Sequence, residues 1–155
     1  DRHSTRRAQL VNYIYDFKNK YKSSPAACPS ESELLDGWNK LQVALQWSNL
    51  YCADSVDLKL RSLGFGTTSP LRLTTEQIEL MAEVEHNRWN MEKLLLGYRK
   101  PTPEEEEKCK DNAVRKEYKT KRFVHTDIRP YYQLEEGTKE YDRCISGCLP
   151  LIAEQ

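Results

Sequence analysis

Apolar residues Leu10, Val11, Ile14, Phe17 and Tyr21 recur at helical intervals over residues 1–22, with Arg2, Arg6, Arg7, Lys18, Lys20 and Lys22 between them. The spacing predicts an amphipathic, basic first helix whose charged side is either solvated or turned to an acidic partner. Residues 23–30 carry Pro25 and Pro29 among small residues and read as a linker. Beyond it, Leu34, Trp38, Leu41, Leu45, Cys52, Val56, Leu60 and Leu63 follow steps of three, four and seven. That pattern predicts one long helix or two abutting ones, ended by Gly64-Phe65-Gly66. Ser48 and Asn49 fall where the next apolar residue is due, so a polar group enters a mostly buried face.

Residues 67–73 read as a turn-rich connection, and Thr74 or Thr75 can cap the helix expected from about Glu76 to Leu96. On that helix Glu79, Glu83, His86 and Asn90 define the wet side. Ile78, Leu80, Met81, Ala82, Val84, Trp89, Met91, Leu95 and Leu96 cover most of the rest. Glu85, Arg88 and Glu92 fall inside the apolar arc. Gly97-Tyr98-Arg99-Lys100-Pro101 breaks the helix, and residues 104–122 form a charge-dense stretch expected as an exposed helix or loop. Residues 123–134, with His125, Asp127, Arg129, Pro130, Tyr131 and Tyr132, predict an ordered aromatic loop. A final helix from Gly137 or Thr138 carries Tyr141, Cys144, Ile145, Cys148 and Ile152 on one face. The fold class expected is mainly α, a compact helical domain with an ordered aromatic loop.

Composition narrows the function classes. The chain has 155 residues with 24 Lys+Arg balanced by 24 Asp+Glu, which removes the whole-molecule field that would draw it to nucleic acid or an anionic membrane. The basic run from Lys108 to Arg122 contains Tyr118 as its one aromatic residue, without the interleaved stacking groups of a single-strand binder. No apolar run approaches a membrane span, and no signal peptide is visible. Five cysteines at irregular spacing favour a reducing, cytoplasmic setting. Cys144 and Cys148 sit four apart but lack a second Cys or His pair at zinc spacing, so neither metal nor cofactor is expected. The chain begins at Asp1 rather than Met, which suggests a fragment of something longer.

Glu85-His86-Asn87-Arg88-Trp89, then Leu96-Gly97-Tyr98, then His125-Thr126-Asp127-Ile128-Arg129-Pro130-Tyr131 with Leu134, then Lys139-Glu140-Tyr141-Asp142-Arg143 follow one another in order. This combination resembles the RyR domain, the repeat named after the ryanodine receptor and found as a single copy in bacterial proteins. Trp47-Ser48-Asn49, Ala53-Asp54 and Lys59-Leu60 look like the segment that precedes it in bacterial members. The resemblance divides the chain into a basic helix and linker (1–30), a helical segment packing on the repeat (31–73) and the repeat itself (74–155). It implies a non-enzymatic module in which purine-type ligands stack on the motif tryptophan, here Trp89, with Lys93 as a basic residue near the ligand. Family members carry a polar and a basic side chain where this chain has His125 and Asp127, and the acidic group suits phosphate poorly.

Read for chemistry, Trp89 suits either stacking on a purine or core packing. Arg88, three residues after Glu85 and four before Glu92, forms either a structural ion-pair ladder or a pocket floor with donors for a ligand. His86 and His125 have no nucleophile near them in sequence, and a hydrolase using Glu85 and His86 would need a carboxylate that Arg88 does not hold. Arg143 is expected to clamp Glu85 or Glu92. The expected ligand-binding set is Trp89, Arg88, Lys93, His86, Arg99, Asn49, His125 and Tyr131, in a cleft between the 76–96 helix and the 125–132 loop. The partner expected is a small nucleotide-like molecule, with a homodimer or the rest of a parent chain as further contacts. The alternative is a structural module that binds protein and no small molecule.

Overall fold

The computed structural model describes residues 2–155, with side chains described from Ser4 onward. Asp1 and the side chains of Arg2 and His3 lie outside the described residues, so the basic face of the first helix is followed from Arg6. The fold is mainly helical, with no strand among the described residues. The chain groups into two units, residues 1–85 with 137–155, and residues 86–136. The segment boundaries at 30 and 73 both fall inside the first unit.

In the first unit, α1 (Arg2–Tyr21) packs against α2 (Glu31–Asn39) and α3 (Val43–Asp54), followed by α4 (Val56–Ser62). The stretch expected as one or two helices is therefore three. Ser30 opens α2 with a capping box shared with Glu33. The breaks at Lys40–Gln42 and Ser55 need neither Gly nor Pro. Ser55 turns its hydroxyl back onto the Cys52 carbonyl at 2.7 Å, a local competitor for the helix ladder. Thr74 and Gln77 exchange the same pair of capping bonds at the start of α5 (Thr75–Leu95). After the second unit the chain returns as α8 (Glu136–Gly147) and α9 (Leu149–Ala153). The single final helix is thus broken at Cys148, because Pro150 has no amide and its ring collides with the carbonyl four residues back.

The core of this unit joins Leu10, Val11 and Ile14 with Leu34, Trp38, Val56, Leu60, Met81, Ile145, Leu149 and Ile152. A buried ion pair, Lys59 Nζ to Glu85 Oε2, lies within it. Arg143 does clamp a carboxylate of α5, but that of Glu79, through Nε–Oε2 at 2.7 Å and Nη2–Oε1 at 3.1 Å. Of the two partners expected, Glu85 is paired with Lys59 and Glu92 with Arg88. Asn49 is buried on α3, as its place on the stripe implied.

The sides of α5 follow the expected arc in part. Glu85 and Glu92 are buried, as their place in it implied, but His86 is only 3% exposed, and Leu80, Val84, Met91 and Leu95 face solvent, Leu95 at 82% exposure. A helix apolar around most of its circumference gives a weak phase signal, so the buried side is set by what packs on it. For His86 that is the loop of the second unit, which turns a residue expected at the wet boundary into an interior one.

In the second unit, the last turns of α5 lead to Gly97, whose φ of +89° closes a Schellman turn. Its amide donates to Leu94 O at 3.1 Å and the Tyr98 amide to Lys93 O at 2.9 Å. The charge-dense stretch is ordered as α6 (Pro103–Lys108) and α7 (Asn112–Lys121), opened by a Thr102–Glu105 capping box and by Asp111. Cys109, Tyr118 and Val124 form its small core, flanked by Val114. Arg99 and Val124 form an isolated parallel bridge, through which residues 123–125 are tied beside the end of α5.

Candidate functional site

The second unit gathers the aromatic and cationic residues singled out in the sequence. His86, on α5, donates through Nε2 to the Arg129 carbonyl at 2.8 Å, and Asn90 Nδ2, one turn on, donates to the same oxygen at 3.1 Å. These bonds fasten the 123–134 loop to the helix and define the His86 tautomer when the ring is neutral, with the proton on Nε2. One backbone carbonyl thereby accepts from two side-chain donors of one helix face, while Asn90 Oδ1 is buried without a hydrogen-bond partner among the described residues.

The rings assemble around Trp89. The His86 imidazole stacks on the indole at 5.5 Å between centroids and 19° between planes, and His125 meets it edge-on at 4.8 Å and 83°. Tyr131, buried in a single 3₁₀ turn over Tyr131–Gln133, lies 6.3 Å from His86. Tyr98 comes within 6.3 Å of His125 and 5.0 Å of Phe123. Lys93 Nζ stands 5.6 Å from the centre of the Trp89 ring and 5.4 Å from that of Tyr98, in cation–π range of both. The Schellman turn is what folds Tyr98 back to this position. Tyr98 was legible as part of a helix-breaking segment and of the Leu96-Gly97-Tyr98 motif but not as a site residue, and the signal for its role is its place directly after the Gly97 that reverses the chain.

Electrostatics follow from this crowding. Burial lowers the pKa of Lys93, with Lys119 and Arg88 adding repulsion and Glu92 opposing. His125 is pushed down to about 4, first by burial and then by the positive charges of Lys119 and Lys93. It is therefore neutral at physiological pH. Its Nδ1 accepts the Asp127 amide at 3.2 Å, which leaves the ring proton on Nε2. Lys93, Lys119 and Arg115 are all close enough to act on His125, so the surroundings of the rings carry positive potential. An aromatic surface of this kind can take a flat ring by stacking and a negative group by charge.

Not every expected residue joins this cluster. Arg88 pairs with the buried Glu92 at 2.9 Å, the structural half of the ladder expected for it. Arg99 is exposed and bidentate to Glu105, at 2.7 and 3.0 Å, and its hydrogen bond holds the Glu105 carboxyl down to about 2. Asn49 belongs to the first unit. His86, Trp89, Lys93, His125 and Tyr131 are brought together, Tyr98 is added to them, and Lys119 and Arg115 act on His125 by charge. No protein-family model, curated protein or solved structure matches the chain.

Proposed function

We propose that the chain is a non-catalytic, RyR-type ligand-sensing module in which the ring cluster around Trp89 takes a small nucleotide-like molecule. The observation that carries this is the joining of a partly exposed indole with Lys93 and a neutral His125 inside one positive neighbourhood. A purine would stack against the indole, and Lys93 with Lys119 would face its anionic groups. The order of the four motifs, from Glu85-His86 to Asp142-Arg143, supports the same reading. Thermal unfolding against adenine and guanine nucleotides and ADP-ribose tests it. A ligand at about 100 times its Kd stabilises the native state by about 2.7 kcal/mol. A shift of that size in wild type, lost in a folded Trp89→Ala variant, supports the assignment; equal shifts in both proteins, or none in either, refute it.

A protein-binding role is the second reading, favoured by the exposure of Met91, Leu94, Leu95 and Leu96 in a run at the end of α5. It predicts concentration-dependent association in light scattering that Leu95→Lys abolishes.

A further inference from the structure

The basic face of α1 meets a second feature that the ring cluster does not use. A cavity of about 270 Å³ in the first unit is lined by Arg7, Asp57, Arg61, Thr67, Thr68 and Ser69. Arg7 is anchored there on two sides. Nη2 donates to the Ala153 carbonyl at 2.8 Å and Nη1 pairs with Asp57 Oδ2 at 3.0 Å. Its Nε is buried and has no hydrogen-bond partner in the described chain. A buried guanidinium N–H without an acceptor is costly, and a negatively charged oxygen relieves that cost best. Arg61 lines the same cavity with an exposed side chain, and no hydrogen bond ties Thr67, Thr68 or Ser69 to the rest of the described chain. Two guanidinium groups against one carboxylate leave the lining positive. Three consecutive hydroxyls supply further donors without occupying partners of their own.

We infer that this cavity is a binding site for a phosphate group, free or carried on a small ester. Its volume is at or below the lower end of ligand pockets, so it suits a monophosphate of a small molecule rather than a dinucleotide. Arg7 is the fixed element, held in orientation by Ala153 and Asp57. Arg61 is the exposed one, and the hydroxyls of residues 67–69 offer donors to the phosphate oxygens. Asp57 serves as the positioning group for Arg7 and at the same time repels the ligand.

That double role makes the test decisive. Isothermal titration of the whole chain with inorganic phosphate and with glycerol 3-phosphate should give saturable binding in the millimolar range or tighter. Arg61→Gln, at an exposed position that leaves the fold intact, should weaken it about tenfold, the loss expected for one charged hydrogen bond. Asp57→Asn should tighten it, because the amide still accepts from Arg7 while the repulsion is gone. Trp89→Ala should leave it unchanged, which separates this site from the one proposed above. Tighter binding of the ester assigns the site to a phosphorylated small molecule, and equal binding assigns it to the free oxyanion. Absence of saturable heat with both probes, or the same affinity in wild type and Arg61→Gln, overturns the inference.

Discussion

The two units are held together by different physics. The first has a broad aliphatic core running through α1, α2, α4, α8 and α9, with one ion pair sealed inside it. The second has an aliphatic core of a few residues, and its order comes from ring contacts, capping boxes and side-chain bonds to carbonyls. Apolar burial is nondirectional and tolerant, whereas the second kind of order fixes positions and is sensitive to charge. A tolerant apolar core and a set of precisely placed polar and aromatic groups have opposite needs, and the chain divides them between its two units.

The sharpest way to break the contrast is to attack the buried ion pair of the first core. Lys59→Met leaves Glu85 buried without its cation and should cost about 3–5 kcal/mol, measured by urea denaturation. The double variant Lys59→Met/Glu85→Leu should recover most of that loss, because two apolar groups of similar volume need no desolvation. A double variant as unstable as the single would show that the pair organises the core rather than merely occupying it.

Next in size, Tyr118→Ala removes the largest side chain of the small core in the second unit. A loss of about 3 kcal/mol is expected by analogy with other buried aromatic truncations. Hydrogen exchange should localise it to residues 103–124 while the amides of α1 and α8 stay protected. Uniform loss of protection throughout the chain would mean that the two units unfold together.

The smallest effect is the pH dependence carried by His125. Its folded pKa of about 4 lies below the ordinary 6.5, so the unfolded chain binds more protons between those values. The stability it contributes is therefore complete above pH 6.5 and is lost as the pH falls toward 4. His125→Gln should flatten the denaturation midpoint over that window, and an unchanged pH profile would show that the imidazole is not desolvated.

Much of the helical order was legible from spacing alone. The α1 stripe and the linker after it follow directly from where the apolar residues stop. What spacing missed is instructive. Lys59 sits three residues after Val56 and one before Leu60, squarely on the buried stripe, and its position was the signal for a buried cation. The breaks at Gln42 and Ser55 carry no Gly or Pro; at the first the Gln46 side-chain amide donates to the Trp38 carbonyl at 3.1 Å, and at the second the Ser55 hydroxyl donates to that of Cys52 at 2.7 Å. On α5, the period placed Glu85 and Glu92 in the apolar arc, but with nearly every side apolar it could not say that His86 turns inward while Leu80 and Leu95 turn out. For the candidate site, residue types were readable but their meeting was not, since His86 and His125 are 39 positions apart in the sequence. The carbonyl of Arg129, which no side-chain pattern reveals, is the atom that fastens their two segments.

The distribution of indoles turns the two-unit division into something visible by eye of a spectrometer. Trp89 is the one tryptophan in residues 86–136, and Trp38 and Trp47 both belong to the first unit, the former buried and the latter exposed. Replacing Trp47 by Phe would leave one indole per unit, each in its own surroundings and excited selectively beyond the tyrosine absorption. Emission colour and lifetime would then follow the melting of each part separately, in a single cuvette and with no label attached.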